Sequence, residues 1–234
     1  MENAEFDRVA EEYKALHRRS IAASGEDPEF FARYKVNDAA HEARQAGLRV
    51  EHVLDFGCGV GNSLPHFAMH FSAARLAAAD PSRRSLGIAR ERFPALRVDY
   101  VEISNERLPF DHGSFDLCFS ACVFHHIPAA EHPAWLGELY RVTRPGGMLL
   151  LFEHNPFNPL TLAAVRDCPF DDNAVLIPGG TMRRRVCAAG WSEARTVYRI
   201  FFPHALAFAR PVERLLRQVP LGAQYFVRAQ RGDW

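Results

Sequence analysis

From about His52 the chain alternates short apolar runs with amphipathic stretches, a rhythm that restricts it to a mostly parallel sheet covered by helices on both faces. Strands are expected at His52–Asp55, Arg75–Ala79, Arg97–Ile103, Phe115–Ala121 and Met148–Glu153, with helices between them. Asn62-Ser63 offers a cap for the first helix, with Pro65 in its opening turn. Pro81-Ser82 opens the second, whose Leu86, Ala89 and Phe93 share one face. Trp135, Leu136, Leu139 and Tyr140 mark the helix before the fifth strand, which the Pro/Gly run at Thr143–Gly147 stops. After Gly190 the pattern changes to Ala194–Phe202, a helical piece around Leu206–Val219, and Ala223–Ala229, expected as an antiparallel edge added to the parallel sheet. Residues 1–50 precede the rhythm and read as helices, with Phe6, Val9, Ala10, Tyr13 and Leu16 on one stripe. The expected division is a helical lid over 1–50 and an α/β core over 51–234.

The first strand runs straight into Val53-Leu54-Asp55-Phe56-Gly57-Cys58-Gly59-Val60-Gly61-Asn62. Glycines at such a turn let the backbone approach a ligand, and the helix that follows offers unpaired N–H groups. A nicotinamide site usually reads G-x-G-x-x-G; this loop reads G-x-G-x-G with an acid two residues before the first glycine. A carboxylate there suits a cationic amine better than a pyrophosphate. Asp80 ends the second strand about 20 residues further on, where a carboxylate accepts both hydroxyls of a ribose.

Charge narrows the partners. The 28 basic and 28 acidic residues cancel, so no overall basic field points to nucleic acid, and Arg83-Arg84 and Arg183-Arg184-Arg185 read as solvated faces. No window approaches the ~18 apolar residues of a membrane span, and the acidic, amphipathic start lacks the apolar segment of a signal peptide, so a cytoplasmic location is expected. The five cysteines form no C-x-x-C pair, and His66 and His70 lack the acid of H-E-x-x-H; no metal is expected.

Four stretches in order, VLDFGCGVGN, AAADPS, LPFDHGSFDLCFSACVFHHIP and ELYRVTRPGGMLLLFE, resemble the class I S-adenosylmethionine-dependent methyltransferases of small-molecule type, and FDRVAEEY looks like that family's N-terminal helix. The resemblance implies a Rossmann-like sheet of seven strands, mostly parallel with a reversed last strand, and S-adenosyl-L-methionine as cofactor, with S-adenosyl-L-homocysteine as product. Residue by residue, Asp55, Gly57 and Gly59, with Cys58 and Asn62 in the same loop, would hold the methionyl end, and Asp80 the ribose. Pro81 and Ser82 would lie beside the adenosine, and Ser104-Asn105 stand where the family often has Asp-Ala near the adenine. Ser120, Ala121 and Cys122 would line the methionine and the methyl.

Ligands of open α/β sheets bind beyond the carboxyl ends of the strands, so Cys122–His126 and Glu153–Asn155 should surround the transferring methyl. His126 and His154 are the expected bases for an acceptor that must lose a proton, with His125 and Glu153 beside them. Tyr13, Tyr34, Lys35, Asn155 and Phe170 are candidate acceptor contacts; Lys35 is one of only two lysines. The run from Phe152 to Asp172 resembles a bacterial branch of the same family. The leading expectation is O- or N-methylation of a small molecule. Alternatives are C-methylation of a quinone or lipid precursor, for which Ile200–Pro203 and Leu206–Phe208 offer apolar surface, and cofactor binding without catalysis. Oligomeric state is not encoded in any of these features.

Overall fold

The computed structural model describes residues 21, 24–104, 107–168, 171 and 173–232. Its strands are β1 (His52–Phe56), β2 (Arg75–Asp80), β3 (Val98–Glu102), β4 (Phe115–Ala121), β5 (Thr143–His154), β6 (Ser192–Arg199) and β7 (Gln224–Gln230). They form one sheet in the order β3-β2-β1-β4-β5-β7-β6. The pairs among the first five are parallel, whereas β7 runs antiparallel to both β5 and β6. This is the Rossmann-like, seven-stranded arrangement with a reversed last strand that the sequence leads one to expect.

Alternation along the buried strands sorts side chains onto two faces. Leu54, Phe56, Leu149 and Leu151 join one cluster with Trp135, Leu136 and Leu139 from the helix over His132–Val142. Val53, Leu117, Phe119 and Phe152 face the other way, where Phe67 and the helix α1 (Pro28–Gln45) cover them. Asp27 caps α1, accepting a hydrogen bond from Phe30 N at 2.7 Å, and Pro28 opens it. Asp38 pairs with Arg199 at 2.6 Å and Glu42 with Arg195, fastening α1 to β6. The described part of the segment expected as a lid therefore shares a core with the sheet. Phe6, Val9, Ala10, Tyr13 and Leu16 lie outside the described residues.

The next five helices follow the sequence signals unevenly. In α2 (Leu64–His70) Ser63 makes no side-chain cap, and the Asn62 carboxamide oxygen instead accepts a bond from Arg92 at 2.9 Å. In α3 (Arg83–Arg92) Ser82 caps as expected, accepting from Ser85 N at 3.0 Å. α4 (His132–Val142) stops where Thr143 Oγ1 donates to Leu139 O at 2.7 Å, but strand pairing begins there and not at Met148. The Pro145-Gly146-Gly147 run is absorbed as an irregularity between the Phe115 and Leu117 pairings, Gly147 packing too close to Thr143 and Asp116 for any Cβ. α5 (Pro159–Arg166) is capped by Asn158, and α6 (Gly179–Ala188) presents Arg183 and Arg184 to solvent while Arg185 bonds His132 Nδ1 at 2.7 Å. No helix among the described residues is long and apolar enough to cross a membrane.

Candidate active site

The carboxyl ends of β1, β2, β4 and β5 open onto a cavity of about 200 Å³. Asp55, Gly57, Cys58, Gly59, Asn62, Asp80, Pro81, Ala121, Cys122, His125, His126 and His154 all line it, and α1 adds Lys35. Gly57, Gly59 and Gly61 take positive φ values of 72°, 51° and 77°, the left-handed region that favours glycine. A Cβ on Gly57 would lie 2.3 Å from Val123, whereas one on Gly59 would meet nothing within 4 Å. The loop is thus packed tightly on one side and open on the other. Asp80 holds its shape: the two carboxylate oxygens accept bonds from Gly59 N at 2.7 Å and Ser82 N at 2.9 Å.

Asp55 is buried, and its Oδ2 has no hydrogen-bond partner among the described residues. Burial and the nearby Asp80 charge push its pKa up to about 7, against the pull of Lys35. An under-satisfied carboxylate beside a glycine turn fits a cationic group, and its place at the mouth of an open loop fits the methionyl ammonium. At the other end Cys122 takes φ 60°, a strained value for a residue with a side chain. Burial alone would raise its thiol, but His154 and Lys35 bring it down to about 6; Lys35 Nζ donates to Cys122 Sγ at 3.1 Å.

The histidines sit on a built frame. Glu153, buried at the end of β5, accepts bonds from Val123 N at 3.1 Å and Phe124 N at 2.8 Å through one oxygen. Its other oxygen meets His125 Nδ1 at 2.5 Å. His125 Nε2 faces Asp171 Oδ1 at 3.3 Å, and His126 Nε2 lies 3.5 Å from the same oxygen. Burial works against a charge on His125, but Glu153 and Asp171 raise its pKa to about 10. Burial and that neighbouring positive charge lower His126 to about 4. His132 Nε2 donates to Phe124 O and Ile127 O at 3.0 and 2.9 Å, holding the 3-10 turn (Phe124–His126) that carries both rings. On the far side His154 Nδ1 accepts from Gln224 Nε2 at 3.3 Å.

Several expected contacts lie elsewhere. Tyr34 turns from the cavity to bond Gln224 Oε1, and Ser82 is fully buried as a helix cap. Ser104 is exposed and does not line the cavity. Ser120 is buried beneath it, with no partner for its hydroxyl among the described residues. Asn155 is buried, and its amide donates to Pro220 O at 3.1 Å and Gly222 O at 2.7 Å, so it braces a turn. Tyr13, Asn105 and Phe170 lie outside the described residues. Phe31, Asp171 and Gln224 line the cavity without having been singled out. They come from three distant segments, and no local motif marks them.

Residues 53–147 match the family model described as "Methyltransferase domain". The chain is 39% identical over 99 residues to malonyl-[acyl-carrier protein] O-methyltransferase of Pectobacterium atrosepticum, covering 42% of this chain and 36% of that protein. It is 31% identical over 153 residues to demethylmenaquinone methyltransferase of Thermus thermophilus, covering 64% of each. The chain thus spans less than two thirds of these relatives' length. A methyltransferase structure from Thermotoga maritima, titled a possible histamine N-methyltransferase, superposes with a TM-score of 0.66 at 20% identity over 97% of this chain and 98% of that one. Residues 53–147 thus carry a methyltransferase domain, and sheet order and glycine loop agree with the fold of the class I S-adenosylmethionine-dependent methyltransferases.

Proposed function

We propose that this chain moves a methyl group from S-adenosylmethionine to an oxygen or nitrogen of a small-molecule acceptor. The observation that carries the reading is the under-satisfied, buried Asp55 carboxylate beside a glycine loop whose open side faces the cavity. When bound, the cofactor supplies an electrophilic methyl carbon on a sulfonium. Asp55 and the Gly57–Gly59 loop hold its methionyl end, and Asp80, fixed by Gly59 N and Ser82 N, accepts the ribose hydroxyls. Pro81 flanks the adenosine, and Ala121 and Cys122 back the methionine. The acceptor enters between α1 and the histidines, with Lys35 on one wall and His125, His126 and His154 on the other. Alignment and exclusion of water do most of the work in such a displacement. Of the two expected bases, His154 is favoured, because burial and the His125 charge leave His126 a weak one.

The test is turnover by the purified full chain, read as S-adenosylhomocysteine formed on a panel of phenols, carboxylic acids, amines and quinols. Product with the first three classes supports the proposal, and His154→Gln should then lose about 100-fold or more in turnover with cofactor affinity intact. Turnover on quinols alone, with the methyl found on a ring carbon of the product, would favour C-methylation of a quinone precursor, the acceptor class in the Thermus relative's name. Tight cofactor binding with no turnover on any class would leave a non-catalytic binding protein.

A further inference from the structure

We propose that His125, His126 and Asp171 form a site for one divalent transition-metal ion of the zinc type, with an open position toward the acceptor end of the cavity. The inference rests on the reading of that end as the acceptor site. The ligand atoms His125 Nε2, His126 Nε2 and Asp171 Oδ1 all lie within 4.8 Å of one another. The two nitrogens stand 3.3 and 3.5 Å from the carboxylate oxygen. Metal–ligand bonds of about 2.1 Å in a tetrahedron separate neighbouring ligand atoms by about 3.4 Å, so the spacing suits such an ion.

Donor arithmetic points the same way. His125 Nδ1 donates to Glu153, so Nε2 is the atom turned toward the Asp171 oxygen, and an ion bound there would take the place of the proton that Nε2 otherwise carries. A positive charge belongs at the centre of the cluster. His126 Nε2 closes on the same oxygen, so three donor atoms converge on one point. Glu153 meanwhile gives His125 the outer carboxylate that metal-ligating histidines usually have, and its second oxygen is pinned by two backbone N–H groups. Two histidines and one carboxylate with a free position are a catalytic rather than a structural donor set. All three residues line the cavity, so the free position faces the acceptor. The substrate class that follows is a molecule with an ionisable hydroxyl, which a Lewis acid makes easier to deprotonate. In that transfer the O–H proton goes to His154, the O–C bond forms as the S–C bond breaks, and the bonding pair leaves on sulfur.

The experiment uses the full chain stripped with a chelator, then supplied with Zn²⁺ or Co²⁺ and freed of excess ion. The expected results are about one ion per chain, visible d–d absorption from the Co²⁺ form, and a change in those bands on adding acetohydroxamate as an oxygen-donor probe. His126→Gln and Asp171→Asn should each lower retained ion at least about 10-fold while S-adenosylhomocysteine affinity stays within about 2-fold of the parent. The second variant guards against a folding defect in the first, and the nucleotide affinity reports folding in both. Less than about 0.1 ion per chain, or full retention by both variants, overturns the site. Bands that acetohydroxamate leaves unmoved overturn the open position. Cofactor binding is read separately, so failure of the metal site and failure of the methyltransferase reading are told apart.

Discussion

Cofactor affinity should fall steeply as pH drops below 7, and Asp55 should be the cause. Its carboxyl sits near pKa 7 in the free protein because burial and the Asp80 charge at the end of β2 outweigh Lys35 from α1. Cys58, also close by, has its thiol pushed well up by burial and so stays neutral. A bound ammonium favours the ionised form and pulls this pKa down. The sign follows: the group must lose a proton to bind, so affinity is full above pH 7 and declines below it. With a free-state value of about 7, the ionised fraction falls from about three quarters at pH 7.5 to about 3% at pH 5.5, a loss of about 25-fold in affinity, or ~1.9 kcal/mol. Keeping to pH 7.5 or lower avoids the titration of the cofactor's own amine, which lies near 7.7–8.0 in free amino groups. Asp55→Asn keeps the shape and removes the charge, so at pH 7.5 it should bind about 10- to 150-fold more weakly, the loss of about 1.5–3 kcal/mol expected for one charged hydrogen bond. Its affinity should then be flat between pH 5.5 and 7.5. Calorimetry with S-adenosylhomocysteine reads both effects, and buffers of different ionisation enthalpy count about 0.9 proton released by the parent at pH 6. Equal parent affinity at the two pH values, or a slope that survives in the variant, refutes the assignment.

The glycine loop offers a paired comparison: Gly57→Ala should destabilise the fold by about 2–5 kcal/mol in urea melts, because its Cβ would strike Val123 and its φ is left-handed as well. Gly59→Ala meets only the left-handed backbone cost of about 1–2 kcal/mol, yet its methyl points into the cavity and should weaken cofactor binding disproportionately. Away from the site, Glu138 bonds Leu108 N at 2.9 Å and Arg141 at 2.8 Å, and chiefly the Arg141 bonds hold its carboxyl below the usual range. Glu138→Gln should cost about 1.5–3 kcal/mol at pH 7; because the folded pKa is depressed, the parent's advantage is complete above about pH 4.3 and disappears as pH falls through the lower value. Hydrogen exchange around Pro28–Lys35 should slow when S-adenosylhomocysteine is added if this end of α1 closes over the acceptor; equal protection in both states would mean it serves only as a cavity wall.

What could be read from the amino acids alone was whatever one local element decides. The loop and Asp80 were legible because both lie within one β-α-β unit and their chemistry depends on spacing along the chain. Strand positions followed from short apolar runs; the start of β5 was misplaced, since the Pro-Gly-Gly stretch looks like a breaker and is taken up as a bulge, and β6 ends at Arg199 and not Phe202, because Ile200 turns to a positive φ. The acceptor end was read in part. Of the neighbours Tyr34 and Lys35, about 100° apart around a helix, only Lys35 lines the cavity. Asn155 looked chemically apt but braces the turn before β7. Asp171 and Gln224 were missed because each meets its histidine only through the tertiary fold, across 46 and 70 positions of chain.

The reversed strand also has a kinetic consequence. Among the described residues β7 follows β6 in the chain yet lies between β5 and β6, so β6 has no partner in this sheet until residues 224–230 have been made. A ribosome delivers β6 first and leaves it an unpaired edge, the state in which strands find wrong partners. When β7 slots in, its first residue, Gln224, arrives opposite His154 and orients that ring. Closure of the sheet and the placing of His154 are thus one event, and a nascent chain released before residues 224–230 are made would be aggregation-prone, with that ring unsupported.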